Sequence, residues 1–147
     1  MEDENLKFED FLSDESFPEA LVRFQKEKNL TDEECAGQAD ISVKSWQFYK
    51  KGKRHPISNT VLLIAIVLEL NVEETEYLLH TAGYHFEENN CTDKIVRKCI
   101  EKKEYNLDMI YKMLETMGQS PLNKRRVQKS PVQMLSIARK MKKDNSQ

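Results

Sequence analysis

Two short helical segments separated by a three-residue turn set the terms for everything else in this chain. They occupy residues 30–56, LTDEECAGQADISVKSWQFYKKGKRHP. Thr31 is placed to cap the first segment, and Glu34 three residues on completes a capping box. Cys35, Ala36 and Ala39 give that helix a small apolar face. Asp40 falls where the chain must turn, Ile41 plugs the turn, and Ser42 caps the second helix. There Trp46 and Tyr49 stand three apart on one face. Gly52 closes the helix, as glycine does past a C-terminus, and Lys50, Lys51, Lys53 and Arg54 crowd that end.

Helical signals continue on both sides. Pro18 suits the first position of a preceding helix, with Ser16 or Phe17 before it and Asn29 as its stop. Its Leu21 and Phe24 should pack on the helix that follows. Pro56 blocks continuation of the second motif helix. Ser58 reads as the cap of a fourth helix over about residues 59–69. Val61, Leu62, Ile64, Ala65, Val67 and Leu68 make that helix apolar nearly all round, which predicts the centre of the core. Asn71 and Glu74 form a second capping box, Leu78, Leu79 and Ala82 face inward, and Gly83 ends the fifth helix.

After a polar linker, Thr92 opens a sixth helix with Ile95, Val96, Cys99 and Ile100 in a stripe. Asn106 caps a seventh, in which Leu107, Ile110, Leu114 and Met117 recur before Gly118 and Pro121. Neither stripe is buried by its own helix, so the pair must pack on the rest of the chain or on another copy.

The 147 residues are 39% hydrophobic with four glycines and four prolines, which suits an all-α protein with a modest core. Net charge is only −2, but its distribution is uneven: −6 over residues 1–16, −3 over 17–118 and +7 over 119–147. That is a partner-binding arrangement or a mutual pairing of the two ends. The division expected is an acidic flexible arm (1–16), a helix-turn-helix domain (17–84), a two-helix extension able to dimerise (85–118) and a basic tail (119–147). In the tail, Met134, Ile137, Ala138 and Met141 would share one face of a short helix.

Cys35, Cys91 and Cys99 make no CxxC pair, which reads as a reduced, cytoplasmic protein. The acidic start is unlike a secretory signal, and the longest apolar run, 61–68, is too short to span a bilayer. His80, His85, Cys91 and Cys99 match no zinc spacing, so no metal or cofactor is expected. No glycine-rich phosphate loop or nucleophile motif argues for an enzyme.

The stretch from residue 30 onward resembles the helix-turn-helix of Xre/Cro-type phage-repressor regulators. The matching residues are Leu30-Thr31, Glu33-Glu34, Ala36, Ala39, Ile41-Ser42, Tyr49, Gly52-Lys53-Arg54 and Pro56. They continue through Thr60, Leu62, Ala65, Leu68, Glu73-Glu74, Leu78-Leu79 and Ala82-Gly83-Tyr84. The resemblance implies a five-helix domain that binds operator DNA as a homodimer, with the second motif helix in the major groove. It places Ala36, Ile41, Trp46 and Tyr49 in the motif core and Lys44, Ser45, Gln47 and Phe48 at base-reading positions. Gln47 suits adenine N6 and N7, Lys44 suits guanine O6 or N7, and Phe48 suits a thymine methyl. Thr31 and Ser42 at helix starts, with Lys51, Lys53 and Arg54, would hold phosphates.

This chain departs from the pattern at Asp32, where a phosphate-touching glutamine is common, and at Trp46, where an aliphatic residue is usual. Phe48 replaces a polar reader and Lys50 an acidic residue. A DNA-binding regulator, acting as a repressor by operator occlusion, is the leading expectation. A protein-interaction module, antitoxin-like or anti-repressor-like, that keeps the fold is the rival, and an RNA-binding factor using the basic tail is a third. The two-helix extension or the tail could also carry a protein partner.

Overall fold

The computed structural model describes residues 15–123. These form seven helices and no strand: α1 (Phe17–Lys28), α2 (Asp32–Ala39), α3 (Val43–Lys51), α4 (Ser58–Val67), α5 (Val72–Thr81), α6 (Cys91–Glu101) and α7 (Leu107–Thr116). The acidic residues 1–14 and the basic residues 124–147 lie outside the described part, and the tail helix expected at 134–141 with them.

Local capping chemistry sets most boundaries. Ser16, Thr31 and Asn71 each close a capping box with Glu19, Glu34 and Glu74, and Ser42 and Asn106 cap α3 and α7. Asn29 and Asp40 end α1 and α2 in the left-handed region at φ 56° and 57°. Asn and Asp adopt that conformation more readily than other non-glycine residues.

Three starts differ from the sequence reading: α1 begins at Phe17, one residue before Pro18, with Ser16 as its cap. Ser58 is the first residue of α4 and not its cap: Ile57 occupies the cap position, with no side-chain hydrogen bond. The helix also stops at Val67, where the chain turns through Glu69 at φ 51°. Burial fixes α4 instead, since every residue from 59 to 67 is buried. Likewise α6 begins one residue before Thr92, because the Asn90 side chain accepts from the Asp93 amide.

Around α4 the others pack in a simple order. α2 lies against α3 and α4, α1 against α3 and α5, α4 against α5, and α6 against α5 and α7. α1 lies mainly against α3 and α5, with the Phe24 ring edge-on to Tyr77 at 6.4 Å, and its Leu21 and Phe24 join the same core cluster as Cys35, Ala36 and Ala39 of α2. Val96, Cys99, Ile100, Ile110, Leu114 and Leu122 join the same core cluster as Leu62, Leu63, Ile64 and Trp46. Most of the α6–α7 stripe is therefore buried on the rest of the chain, with Ile95 and Leu107 half-buried and Met117 56% exposed.

Candidate nucleic-acid interface

Helix α3 is positioned by one fully buried side chain, Trp46, and by a polar net around it. A buried indole needs an acceptor for its N–H. It donates to Gln25 Oε1 of α1 at 3.0 Å. The Gln25 amide nitrogen donates in turn to Leu30 O (3.0 Å) and Asp32 Oδ1 (2.9 Å). The same carboxylate accepts from Lys50 Nζ at 2.8 Å and from Gln47 Nε2 at 3.4 Å. Asp32, Gln25, Trp46 and Lys50 thus tie α1, α2 and α3 into one unit. The Lys50 ammonium holds the Asp32 carboxyl below the usual carboxylate range, with the Gln25 and Gln47 amides helping.

This net gives Asp32 a role beyond the helix dipole, and it absorbs the positive charge of Lys50. Gln25 went unrecognised in the sequence. Its signal was there: it stands four residues after Leu21 on the face that enters the core, where a polar residue requires a partner.

Ser42 Oγ at the start of α3 accepts from the Ser45 amide at 3.0 Å and donates to Ser45 Oγ at 2.9 Å. Arg54 Nη1 donates to the same Ser45 hydroxyl at 3.0 Å. Phe48 is half-buried between two cations, Lys44 Nζ at 5.6 Å and the Arg54 guanidinium at 5.3 Å from its ring centre. Cations over an aromatic face are attracted to its quadrupole. Tyr49 is half-buried against the core, as is Ile41, and Ala36 is fully buried.

The C-terminal end of α3 is held in place. Gly52 has φ +72°, and a Cβ there would meet Pro18 Cγ at 3.3 Å, so glycine lets α3 end against α1. The loop beyond is clamped to α5. His55 Nε2 lies 3.0 Å from Ala82 O, and Tyr84 Oη donates to Pro56 O at 2.8 Å. Lys51, Lys53 and Arg54 are exposed on this clamped stretch. Among the described residues neither they nor Lys44 form an ion pair.

The candidate residues therefore divide. Lys44, Ser45, Phe48 and Arg54 form one contiguous group, with Ser42 beside it. Gln47 leans toward Asp32 through a long hydrogen bond. Thr31 stands apart at the start of α2, its hydroxyl accepting from the Glu34 amide and its amide donating to Glu34 Oε1. That carboxylate competes with any phosphate there.

Burial pushes the Cys35 thiol up to about 11, which keeps it an inert core group. Among the described residues no cluster of His, Cys, Asp and Glu could hold a metal ion, and no helix is long and apolar enough to cross a membrane.

Comparison with protein-family models, with curated proteins and with solved structures finds no match.

Proposed function

We propose that this chain is a sequence-specific, double-stranded DNA-binding transcriptional regulator of the helix-turn-helix type, working as a homodimer that represses by occluding its operator. The observation that carries this reading is the outer side of α3. A capped helix start at Ser42, a contiguous Lys44–Ser45–Phe48 surface and three exposed cations at Lys51, Lys53 and Arg54, which form no ion pair among the described residues, lie on or just past a helix whose other side is sealed by Trp46. Cations free of carboxylate partners are what a phosphate backbone requires, and a short polar helix face is what a major groove admits. The five helices α1–α5 would form the DNA-binding domain, and α6–α7 the extension.

The described chain ends at Asn123, whose amide nitrogen donates to Asp40 O in the α2–α3 turn at 3.4 Å. Asn123, the last described residue before the basic segment, thus lies beside the motif, a favourable point of departure for a tail that would add phosphate contacts.

Selection of bound sequences from random duplex DNA tests the reading. Gln47→Ala should relax the preference at one position, and Arg54→Ala should weaken all sites alike. A chain that enriches no sequence is not such a regulator.

One observation favours the rival reading of a protein-interaction module: Asp32 draws both Gln47 and Lys50 to itself. If that net persists in function, base reading rests on Lys44, Ser45 and Phe48. On the protein-interaction reading, by contrast, purified protein would ignore duplex DNA at low salt.

A further inference from the structure

Helices α6 and α7 leave an open groove of about 910 Å³ on the face turned away from the core. Its floor is apolar and soft: Met109, Met113 and Met117 of α7 with its C-terminal end, and Ile95 and Cys99 of α6. The three methionines are 50%, 38% and 56% exposed, unusually much for large apolar side chains on neighbouring turns. Its rim carries Lys94, Lys98, Lys102 and Lys112, against the single carboxylate of Glu104. Flexible methionines suit an adaptable docking surface, and the lysines set its charge preference.

We propose that this groove is the docking site for the chain's own acidic segment, residues 1–14, folded back in the same molecule. That segment carries Glu2, Asp3, Glu4, Glu9, Asp10 and Asp14 against one lysine, with Leu6, Phe8, Phe11 and Leu12 interspersed. It offers apolar anchors to the methionine floor and carboxylates to the lysine rim.

Three observations select it over other occupants. First, it leaves from the right place. Glu15 is pinned to Arg23 at 3.0 Å and accepts from Tyr77 Oη of α5 at 2.7 Å. The neighbouring Glu76 pairs with Arg97 of α6 at 3.7 Å, on the helix that supplies the rim lysines Lys94 and Lys98 and leads into Lys102. Fully extended, fourteen residues reach about 45 Å, well beyond the ~13 Å radius of gyration of a body this size. Second, the basic tail has the wrong sign for the rim and departs beside the α2–α3 turn. Third, a second copy laid face to face on this groove would oppose lysines to lysines.

The test places p-benzoylphenylalanine in the full-length chain in place of Phe8 or Phe11, and maps photo-adducts by mass spectrometry. Benzophenone reacts readily with methionine side chains. The expected result is adducts at Met109, Met113 or Met117 in protein of monomer mass, with a yield independent of concentration. Lys98→Glu with Lys102→Glu should cut that yield about five-fold, the size of two lost exposed ion pairs. Methyl resonances of the three methionines should also move when Phe8→Ser and Phe11→Ser are introduced without any crosslinker. Adducts at Met134 or Met141, adducts on α3, adducts only in dimer-mass protein, or none with unmoved methyl resonances would each overturn the proposal.

Discussion

Helices α3 and α4 are almost equal in length, nine and ten residues, and differ in nearly everything that holds them. α4 has no side-chain cap, and it is fixed by the burial of every residue from 59 to 67. α3 buries one residue, Trp46, and relies on Ser42, Gln25, Asp32 and Lys50 for the rest. A helix buried on every side can offer nothing to a partner. A helix anchored by one indole and a few hydrogen bonds keeps its other side free, and that side carries the candidate interface. The difference shows how a small domain separates stability from recognition within adjacent elements.

The largest break in this comparison should come from Trp46→Ala, which removes the only deep anchor of α3. Loss of a buried tryptophan costs about 3–5 kcal/mol. Leu63→Ala in α4 should cost about 2–5 kcal/mol, because a cavity opens among other fixed apolar groups. Chemical denaturation of both variants gives the ranking. Duplex binding by whatever folded protein remains should fall for Trp46→Ala and be kept for Leu63→Ala.

Next in size is Gln25→Leu. It leaves the Trp46 indole N–H and Leu30 O without their partner, and an orphaned buried group costs about 1–3 kcal/mol. The same measurement on Trp46→Phe with Gln25→Leu should recover part of that loss, since the unsatisfied donor is gone.

The caps sharpen the comparison further. Ser42→Ala should cost about 1 kcal/mol, whereas Ser58→Ala should change stability by under about 0.5 kcal/mol, because Ser58 makes no cap hydrogen bond. Equal losses in thermal denaturation would mean that α4 depends on its first turn as α3 does.

The smallest effect is a pH dependence. Asp32 is held below its ordinary 3.8 by the Lys50 ammonium. A carboxyl whose folded-state value is depressed contributes stability that is complete above the unfolded value and is lost as pH falls through the folded one. The stability gap between the wild type and Asp32→Asn should therefore stay constant above about pH 5 and narrow below about pH 4. A gap that widens on acidification would contradict the Asp32–Lys50 assignment.

What the sequence makes legible follows from range. Thr31 with Glu34, Asn71 with Glu74, and the caps Ser42 and Asn106 act within three residues, so their signals are written in adjacent letters. The all-helical class and the burial of Trp46, Leu62 and Ile64 follow from periodicity in the same way. Ser58 misleads because a good capping residue sits next to Ile57, whose extended backbone already starts the helix. The end of α4 is invisible for another reason: Glu69 adopts a left-handed conformation that no glycine announces.

The candidate site was half legible. Lys44, Ser45, Phe48, Lys51, Lys53 and Arg54 could be placed on one helix and its exit from spacing alone. The partners that orient them could not, since Trp46 meets Gln25 across 21 residues and Lys50 meets Asp32 across 18. Such pairs form only after the helices dock.

The most direct measurement is the salt dependence of duplex binding by the full-length chain, set beside Lys51→Ala with Lys53→Ala. Log affinity against log salt should be linear, and the double variant should reduce the slope by about two units, one for each lost phosphate contact. A slope unchanged by the substitutions, or no duplex binding at low salt, would contradict the claim that the outer side of α3 faces DNA.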